Sequence, residues 1–153
     1  MKCLRNCQDF GFPVRLGRAR IWGAAVARIL IADSDAIHRE IAGICLERHS
    51  HHISVVADGS AAIRRIERDP PDLILTDVML PMRSGYDILN AIARQPCRLR
   101  LPVIFLTARS TNADMARALA AGVADYIVKP FVPSELAMRV NLALNRELDA
   151  QAA

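Results

Sequence analysis

Short apolar runs alternate with segments whose apolar residues recur every three or four positions, and this alternation limits the possible folds more than any other feature. From Arg28 onward, five runs have the length and β-branched content of buried strands. The segments between and after them have helical spacing, as in Leu136, Val140, Leu144 and Leu148. Five strand–helix units predict an α/β fold in which helices cover both faces of a parallel sheet. The predicted strands are Arg28–Ala32, Ile53–Ala57, Leu73–Thr76, Val103–Leu106 and Tyr126–Val128.

The same spacing predicts which residues of each helix face the sheet. In the first helix, the row Ile37, Ile41 and Ile44 is expected to lie in the core, together with the small residue Cys45. The fourth helix is expected to begin after the capping-box pattern Thr111–Asp114. Its predicted core residues are Met115 and Leu119.

Composition and charge exclude two classes of function. The longest apolar runs span five to seven residues, far fewer than the ~18 that a membrane-spanning helix needs, so we expect no membrane partner. The net charge is +4, but residues 1–28 hold six basic residues and one acidic residue, whereas the remainder holds 14 basic and 15 acidic. The body is nearly neutral, so a broad phosphate-binding face is not implied and we expect no nucleic-acid partner.

Four cysteines, Cys3, Cys7, Cys45 and Cys97, are spaced widely and irregularly. The large apolar fraction makes disulfide bonds unnecessary, so we expect reduced thiols and a cytoplasmic protein.

Residues 1–27 form a basic N-terminal extension with no sustained apolar period. Three interpretations are open for it: a disordered arm, a short amphipathic helix over 14–26, and upstream sequence attached by an early start codon.

Polar side chains follow four of the five predicted strands. Asp33 and Asp35 follow the first strand, Asp77 the third, Thr107 the fourth and Lys129 the fifth. The carboxyl ends of parallel strands meet at one edge, where ligands bind in open α/β sheets. Carboxylates, a hydroxyl and an ammonium at that edge suit a hard cation and a phosphoryl group.

Each of these residues also has a structural interpretation. Taken alone, Asp33 or Asp35 is explained as well by capping the first helix as by a role in a site. Thr107 could be an ordinary strand-end hydroxyl. Lys129 is one of only two lysines among 20 basic residues, and Asp77 has no capping role in view. Four purely structural polar residues at four strand ends are improbable, which favours a functional site.

Three motifs resemble those of the receiver domain of two-component response regulators, over roughly Arg28 to Leu148. They are the segments 72–81 (DLILTDVMLP, with Gly85 eight residues after Asp77), 103–108 (VIFLTA) and 125–131 (DYIVKPF). The separations of 30 residues from Asp77 to Thr107 and 22 residues from Thr107 to Lys129 also agree with the family. The resemblance implies a flavodoxin-like, doubly wound (βα)5 fold with strand order 2-1-3-4-5. It places a receiver domain at 28–149 and a tail at 150–153, and predicts a stand-alone, single-domain regulator.

The resemblance also assigns roles to the residues at the strand ends. Asp77 would accept a phosphoryl group from a phosphohistidine on a sensor histidine kinase or a histidine phosphotransfer protein. Asp33, Asp77 and the backbone carbonyl of Met79 would hold Mg²⁺, while Thr107 and Lys129 would contact the phosphoryl oxygens. The Lys129-Pro130 bond would be cis. Such a protein catalyses only its own phosphorylation and dephosphorylation, so we do not classify it as an enzyme.

A conformational switch follows from the same resemblance. Thr107 would move toward the phosphoryl group, and Tyr126 would turn inward into the space that Thr107 leaves. The face formed by the fourth helix, the fifth strand and the fifth helix would then bind a downstream target protein, and a homodimer is possible. Without the resemblance, Tyr126 is better explained as a half-buried aromatic residue of the sheet.

One position near the site departs from the family's usual pattern, and two others bear on the lifetime of the phosphorylated state. Ser34 stands where a second acidic residue is usual, and because a serine hydroxyl is a poorer Mg²⁺ ligand than a carboxylate, we expect weaker metal binding unless Asp35 or water substitutes. Met79 and Arg109 occupy the positions that influence hydrolysis of the acyl phosphate in the family. Because they are bulky and cationic, we expect a persistent phosphorylated state.

Two other functions remain as alternatives. The nearer is a receiver-like interaction module that is never phosphorylated. The more remote is a haloacid-dehalogenase-like phosphatase with Asp33 as nucleophile and Asp35 as acid/base, which leaves Asp77 unexplained. The cluster His49, His51 and His52 could bind a transition metal, but we interpret it as an exposed polar turn at the opposite edge of the sheet.

Overall fold

Seven strands and five helices occur in the computed structural model, which describes residues 20–21, 24–95 and 101–152, with side chains described within 26–95 and 101–147. The strands are β1 (Arg20–Ile21), β2 (Ala24–Ala25), β3 (Arg28–Ala32), β4 (His52–Val56), β5 (Leu73–Thr76), β6 (Val103–Thr107) and β7 (Asp125–Val128). The helices are α1 (Ala36–Glu47), α2 (Gly59–Arg68), α3 (Gly85–Ala93), α4 (Asn112–Ala120) and α5 (Pro133–Ala152). No helix in these ranges is both long enough and apolar enough to cross a membrane.

Strands β3 to β7 form one parallel sheet in the order β4-β3-β5-β6-β7. Counted among these five strands alone, this is the order 2-1-3-4-5, so the predicted fold class is confirmed. Every residue of β5 and β6 is buried, as expected where helices cover both faces of a parallel sheet. The register pairs Ala32 with Thr76, so that Asp33 and Asp77 leave their strands side by side.

Two apolar layers hold the helices against the sheet, because successive strand residues point to opposite faces. On one face, Ile29 and Ile31 of β3 share a core with α1 and α5. On the other face, Leu30 and Ala32 share a core with α2, α3 and α4. The helices therefore lie two on one side and three on the other.

Helix α1 does not face the sheet as the sequence pattern predicted. Ile37, Ile41 and Ile44 are 65%, 44% and 47% exposed, respectively. The buried side of the helix is formed instead by Ala42, Gly43, Cys45 and Leu46. Both rows have spacings of three and four residues, so periodicity alone could not separate them. Ala42, Cys45 and Leu46 pack in the core that α1 shares with the sheet and α5, which leaves the isoleucines on the solvent side.

Helix α4 shows the same kind of difference. Its buried residue is Ala118, whereas the predicted core residue Leu119 is 56% exposed. The predicted start is correct, because the Thr111 side chain accepts a hydrogen bond from the backbone N–H of Asp114.

Cys45 is buried, as predicted, and is not part of a disulfide. Cys3, Cys7 and Cys97 lie outside the described residues.

The histidine cluster is not wholly exposed, and this corrects the predicted polar turn. His49 and His52 are exposed, but His51 is only 4% exposed, and its Nδ1 accepts a hydrogen bond from the backbone N–H of Ala27. Burial lowers the pKa of His51, although the nearby Asn141 amide opposes that shift. Ser50, with φ near +67°, makes the turn that directs His51 inward.

Few residues of the predicted N-terminal extension are described. Strand β1 pairs with β2 in an antiparallel arrangement, which excludes a helix at those positions. Ala27 is buried in the core beneath α1 and α5, so the packed domain reaches at least one residue before Arg28. Residues 1–19 and 22–23 lie outside the described part of the chain.

At the C-terminal end, α5 continues to Ala152, so three of the four residues predicted to form a tail are helical.

Candidate functional site

Four of the predicted site residues lie at the carboxyl edge of the parallel sheet. Asp33 directly follows β3, Asp77 follows β5, Thr107 ends β6 and Lys129 follows β7. Asp33 and Thr107 are buried, at 2% and 1% exposed. The parallel register brings these strand ends together although the residues are far apart in the sequence.

The ammonium group of Lys129 joins the two carboxylates. Its Nζ donates hydrogen bonds to Oδ2 of Asp33 at 2.5 Å and to Oδ2 of Asp77 at 2.8 Å. The side chain of Lys129 is 7% exposed, and those of Asp33 and Asp77 are 3% and 12% exposed. Burial disfavours the charged amine, but the hydrogen bonds that it donates to Asp33 and Asp77 outweigh that effect and raise the pKa of Lys129. The site therefore holds one fixed positive charge between two carboxylates.

Asp33 is also held by its own segment of the chain. The backbone N–H of Asp35 donates to Asp33 Oδ1 at 2.9 Å, and Arg39 Nη1 donates to the Asp33 carbonyl oxygen at 2.6 Å. His38 lies nearby, with Nδ1 3.7 Å from Asp33 Oδ2. Sequence analysis missed both Arg39 and His38. Their only sequence signal was their position in the first turns of the helix that follows Asp33.

Asp35 and Ser34 do not add to the carboxylate pair. Asp35 is the N-cap of α1, where its side chain accepts hydrogen bonds from the backbone N–H groups of Ile37 and His38. These bonds lower the pKa of Asp35. Ser34 is exposed. The capping interpretation was thus correct for Asp35, and Asp35 does not replace the missing second acidic residue.

The loop after β5 fixes the position of Asp77. The backbone N–H of Met79 donates to Asp77 Oδ1 at 3.0 Å. A side-chain carbon at Gly85 would lie 2.8 Å from the Asp77 carbonyl oxygen, which is closer than a side-chain carbon normally comes to a backbone oxygen. A glycine is therefore needed at this position. Ser84 and Asp87 form a capping box that begins α3 directly after this loop. The glycine eight residues after Asp77 therefore allows α3 to pack against the loop.

Arg109 links Thr107 to Tyr126 through its backbone. The N–H of Arg109 donates to Thr107 Oγ1 at 3.4 Å, and the hydroxyl group of Tyr126 donates to the Arg109 carbonyl oxygen at 2.8 Å. The guanidinium group of Arg109 pairs with Asp114 of α4. Tyr126 is 7% exposed, and its ring packs edge-on against Phe105. Tyr126 is thus buried against the sheet in this structure.

The donor groups at this edge match what a magnesium ion requires only in part. Mg²⁺ is usually held by one or two carboxylates, phosphate oxygens and water. Asp33 and Asp77 supply the carboxylates, and the Met79 backbone lies against Asp77, but Ser34 contributes no charge. Within 26–95 and 101–147, no three His, Cys, Asp or Glu side chains form a preformed ion cage. The residues present therefore fit an ion that obtains further oxygen ligands from a phosphoryl group or from water.

The arrangement offers a carboxylate nucleophile beside a fixed cation. Asp77 is the more accessible of the two acids, at 12% exposed against 3% for Asp33, and the carboxylate oxygens of both residues accept hydrogen bonds. The Lys129-Pro130 peptide bond is cis, as predicted. Such a site suits the transfer of a phosphoryl group onto Asp77 with charge neutralisation by Lys129.

Comparisons with known proteins point to one family. A model of the response regulator receiver domain matches residues 29–141. The DNA-binding response regulator MtrA of Mycobacterium tuberculosis (strain H37Rv) is 36% identical over 125 residues, which cover 82% of this chain and 54% of that protein. The phosphate regulon transcriptional regulatory protein PhoB of Escherichia coli is 36% identical over 119 residues, which cover 78% and 52%. This chain therefore spans about half the length of the curated relatives it matches.

Solved structures agree with the sequence matches. The receiver domain of the Francisella response regulator 1452 is 30% identical, with a TM-score of 0.74 over 79% of this chain and 98% of that one. The comparisons do not support the expectation that nucleic acid is absent among the partners, because MtrA is described as DNA-binding. They leave that question open for this chain, because the match covers only part of that protein.

Proposed function

This chain belongs to the response regulator receiver family and acts in two-component signalling, and from that premise we propose that Asp77 is its phosphoacceptor. The observation that carries the proposal is the bridge of Lys129 between Asp33 and Asp77 at the carboxyl edge of the sheet. Asp77 is the more exposed carboxylate of the pair. A donor approaching from solvent therefore reaches Asp77 before Asp33.

The proposed step transfers a phosphoryl group from a phosphohistidine to Asp77. A carboxylate oxygen of Asp77 forms a bond to phosphorus while the bond from phosphorus to the histidine nitrogen breaks, and the product is an acyl phosphate. Lys129 is placed to offset the negative charge of the phosphoryl oxygens. Asp33, Asp77 and the Met79 carbonyl would hold Mg²⁺, which would supply further charge neutralisation when bound.

Thr107 and Tyr126 form the proposed switch. The phosphoryl group would compete for the Thr107 hydroxyl, which now accepts the weak 3.4 Å hydrogen bond from Arg109. A change at Arg109 would reach Tyr126, because the tyrosine hydroxyl donates to the Arg109 carbonyl oxygen. It would also reach α4 through the ion pair with Asp114. The face formed by α4, β7 and α5 is therefore the proposed output surface.

Two surfaces support protein partners for this site. The donor would be a sensor histidine kinase or a histidine phosphotransfer protein, and Ile37, which is 65% exposed on the first turn of α1, offers apolar contact area beside Asp35. A downstream target protein, or a second copy of the chain, would bind the output surface. Receiver domains are not classical enzymes, and we propose no activity beyond this domain's own phosphorylation and dephosphorylation. The cytoplasm is the proposed location.

The phosphorylated state is proposed to be long-lived. Met79 and Arg109 flank the site, and the Arg109 guanidinium is partly fixed by Asp114 at 3.1 Å. A large side chain and a fixed cation at these positions would hinder a water molecule from attacking the phosphorus in line. A half-life of seconds for the isolated phosphoprotein would contradict this proposal.

The phosphatase alternative loses support from the geometry of the first loop. Asp33 is 2% exposed and held by Lys129 and by the Asp35 backbone, so it is poorly placed to attack a substrate. Asp35 caps α1 and is not free to act as an acid or base. The phosphorylation-independent module remains the second candidate, because Ser34 removes one charge from the site.

Phosphorylation in vitro tests these proposals. We would incubate the protein with Mg²⁺ and acetyl phosphate or phosphoramidate, and locate the adduct by mass spectrometry. The adduct should disappear in Asp77→Asn and persist in Asp35→Asn, which is a matched control because asparagine also caps helices well. An adduct on Asp33 would support the phosphatase, and no adduct under any condition would support the unphosphorylated module.

A further inference from the structure

A cation–π contact joins helices α3 and α4 next to the loop that follows Asp77. The guanidinium carbon of Arg117, on α4, lies 4.8 Å from the centre of the Tyr86 ring, on α3. We propose that this contact restrains α4 in its present position and so opposes the conformational switch. The inference rests on the proposed function in one respect, since it takes modification of Asp77 to displace α4.

Helix α4 has little buried surface to hold it in place. Of its nine residues only Ala118 is buried, whereas α3, which also has nine residues, buries Gly85, Ile88 and Ile92. Segments with few buried apolar contacts move at a low cost in free energy. Contacts at the surface of α4 therefore matter more for its position than equivalent contacts do for α3.

Tyr86 is the fixed end of the contact with Arg117. It directly follows Gly85, which packs against the Asp77 carbonyl oxygen. The Tyr86 ring also meets the ring of Phe105 edge-on, with the two centroids 5.2 Å apart, and Phe105 is fully buried in β6. Arg117, in contrast, is exposed. A displacement of α4 would therefore carry the guanidinium group away from a ring that stays in place.

The direction of the effect follows from where the contact lies. In the proposed switch, the phosphoryl group acts on the start of α4 through Arg109 and its ion pair with Asp114. The contact between Arg117 and Tyr86 takes no part in that route, and it is present while Asp77 is unmodified. It therefore stabilises the unswitched state. An exposed cation–π contact changes an equilibrium constant by roughly two- to fivefold, so its loss should shift the population toward the switched state by that factor.

Binding of beryllofluoride, an anion that mimics a phosphoryl group on a carboxylate, tests this effect at equilibrium. Because coupling between a ligand and a conformational state is reciprocal, Arg117→Met and Tyr86→Leu should each bind beryllofluoride roughly two- to fivefold more tightly than the wild type in an NMR titration with Mg²⁺. The double variant should bind no more tightly than either single variant, since both remove the same contact.

Two matched variants control for the ring and for the charge. Tyr86→Phe keeps the aromatic ring, and Arg64→Met removes a positive charge from an exposed position on α2. Both should bind beryllofluoride as the wild type does. Tyr86→Leu changes no charge, so tighter binding in that variant cannot come from altered attraction of the anion. Unchanged affinity in both Arg117→Met and Tyr86→Leu would overturn the inference.

Hydrogen exchange of the protein without beryllofluoride tests the restraint independently of Asp77. The backbone amides of α4 should exchange roughly two- to fivefold faster in Arg117→Met and Tyr86→Leu, while those of α1 keep their wild-type rates. Unchanged exchange in α4 would also refute the restraint. If beryllofluoride binds the wild type and Asp77→Asn equally, the phosphoacceptor assignment fails, and the exchange rates of α4 alone then decide whether the contact restrains the helix.

Discussion

Removing the ammonium group of Lys129 should cost more stability than removing any exposed cation of the described residues. Lys129 Nζ lies 2.5 Å from Asp33 Oδ2 and 2.8 Å from Asp77 Oδ2, so these two oxygens are at most about 5.3 Å apart. At an effective dielectric constant of about 20, two unit charges about 5 Å apart repel by roughly 3 kcal/mol. Lys129→Met keeps most of the apolar stem but leaves that repulsion unopposed. We therefore expect the free energy of unfolding to fall by about 3 kcal/mol, the lower end of the range for broken buried ion pairs.

Urea unfolding followed by far-UV circular dichroism at pH 7 measures this loss. The comparison variant is Arg139→Met, which breaks ion pairs with Asp125 and Glu135 among side chains that are 33%, 28% and 41% exposed. It should cost no more than about 1 kcal/mol. Adding Asp33→Asn to Lys129→Met removes one of the repelling charges and should restore most of the lost stability. A loss below about 1 kcal/mol in Lys129→Met, or no recovery in the double variant, would refute this explanation of the site's electrostatics.

Three further predictions concern positions outside the carboxylate pair. Burial lowers the pKa of His51, so below about pH 6.5 the unfolded chain binds a proton at this residue more readily than the folded chain does. The free energy of unfolding should therefore fall as the pH decreases from 7 to 5, by at most about 1.4 kcal/mol per pH unit. Urea unfolding across that range should show this slope, and His51→Gln should remove it. Met82 has φ near +68°, so Met82→Gly should relieve the left-handed strain and raise the free energy of unfolding by roughly 0.5 kcal/mol. The thermal midpoint should then rise, and an unchanged or lower midpoint would contradict this prediction. A side-chain carbon at Gly59 would lie 1.8 Å from the Arg83 carbonyl oxygen, so Gly59→Ala should lower the free energy of unfolding by about 1–3 kcal/mol. An unchanged free energy of unfolding would show that the Arg83 backbone can move away at little cost.

The two central strands, β5 and β6, could be predicted from the sequence because they are buried on both faces. An uninterrupted apolar run such as Leu73–Thr76 has few other stable environments in a chain of this size. The site followed from the strands, since the carboxyl ends of parallel strands share one edge. Asp77 and Lys129 could thus be placed together from their positions alone, although they are 52 residues apart.

The surfaces of the helices could not be predicted in the same way. In α1, the row containing Ile37 and the row containing Ala42 have the same spacing, and hydrophobicity favours the isoleucines. Packing against the sheet and α5 nevertheless buries the row that contains Ala42. The burial of His51 likewise depends on a contact with Ala27, which is 24 residues away.

The sequence by itself therefore determined the α/β fold class and the set of residues at the carboxyl edge of the sheet, and the resemblance to the receiver family added the strand order. The fold class and the edge residues depend on local burial patterns and on the topology that parallel strands permit. Tertiary structure alone decided which side of α1 meets the core, that Asp35 caps a helix instead of joining the site, and that His38 and Arg39 lie beside Asp33. Each of these depends on distances of a few ångströms between segments, and no spacing along the chain encodes such distances.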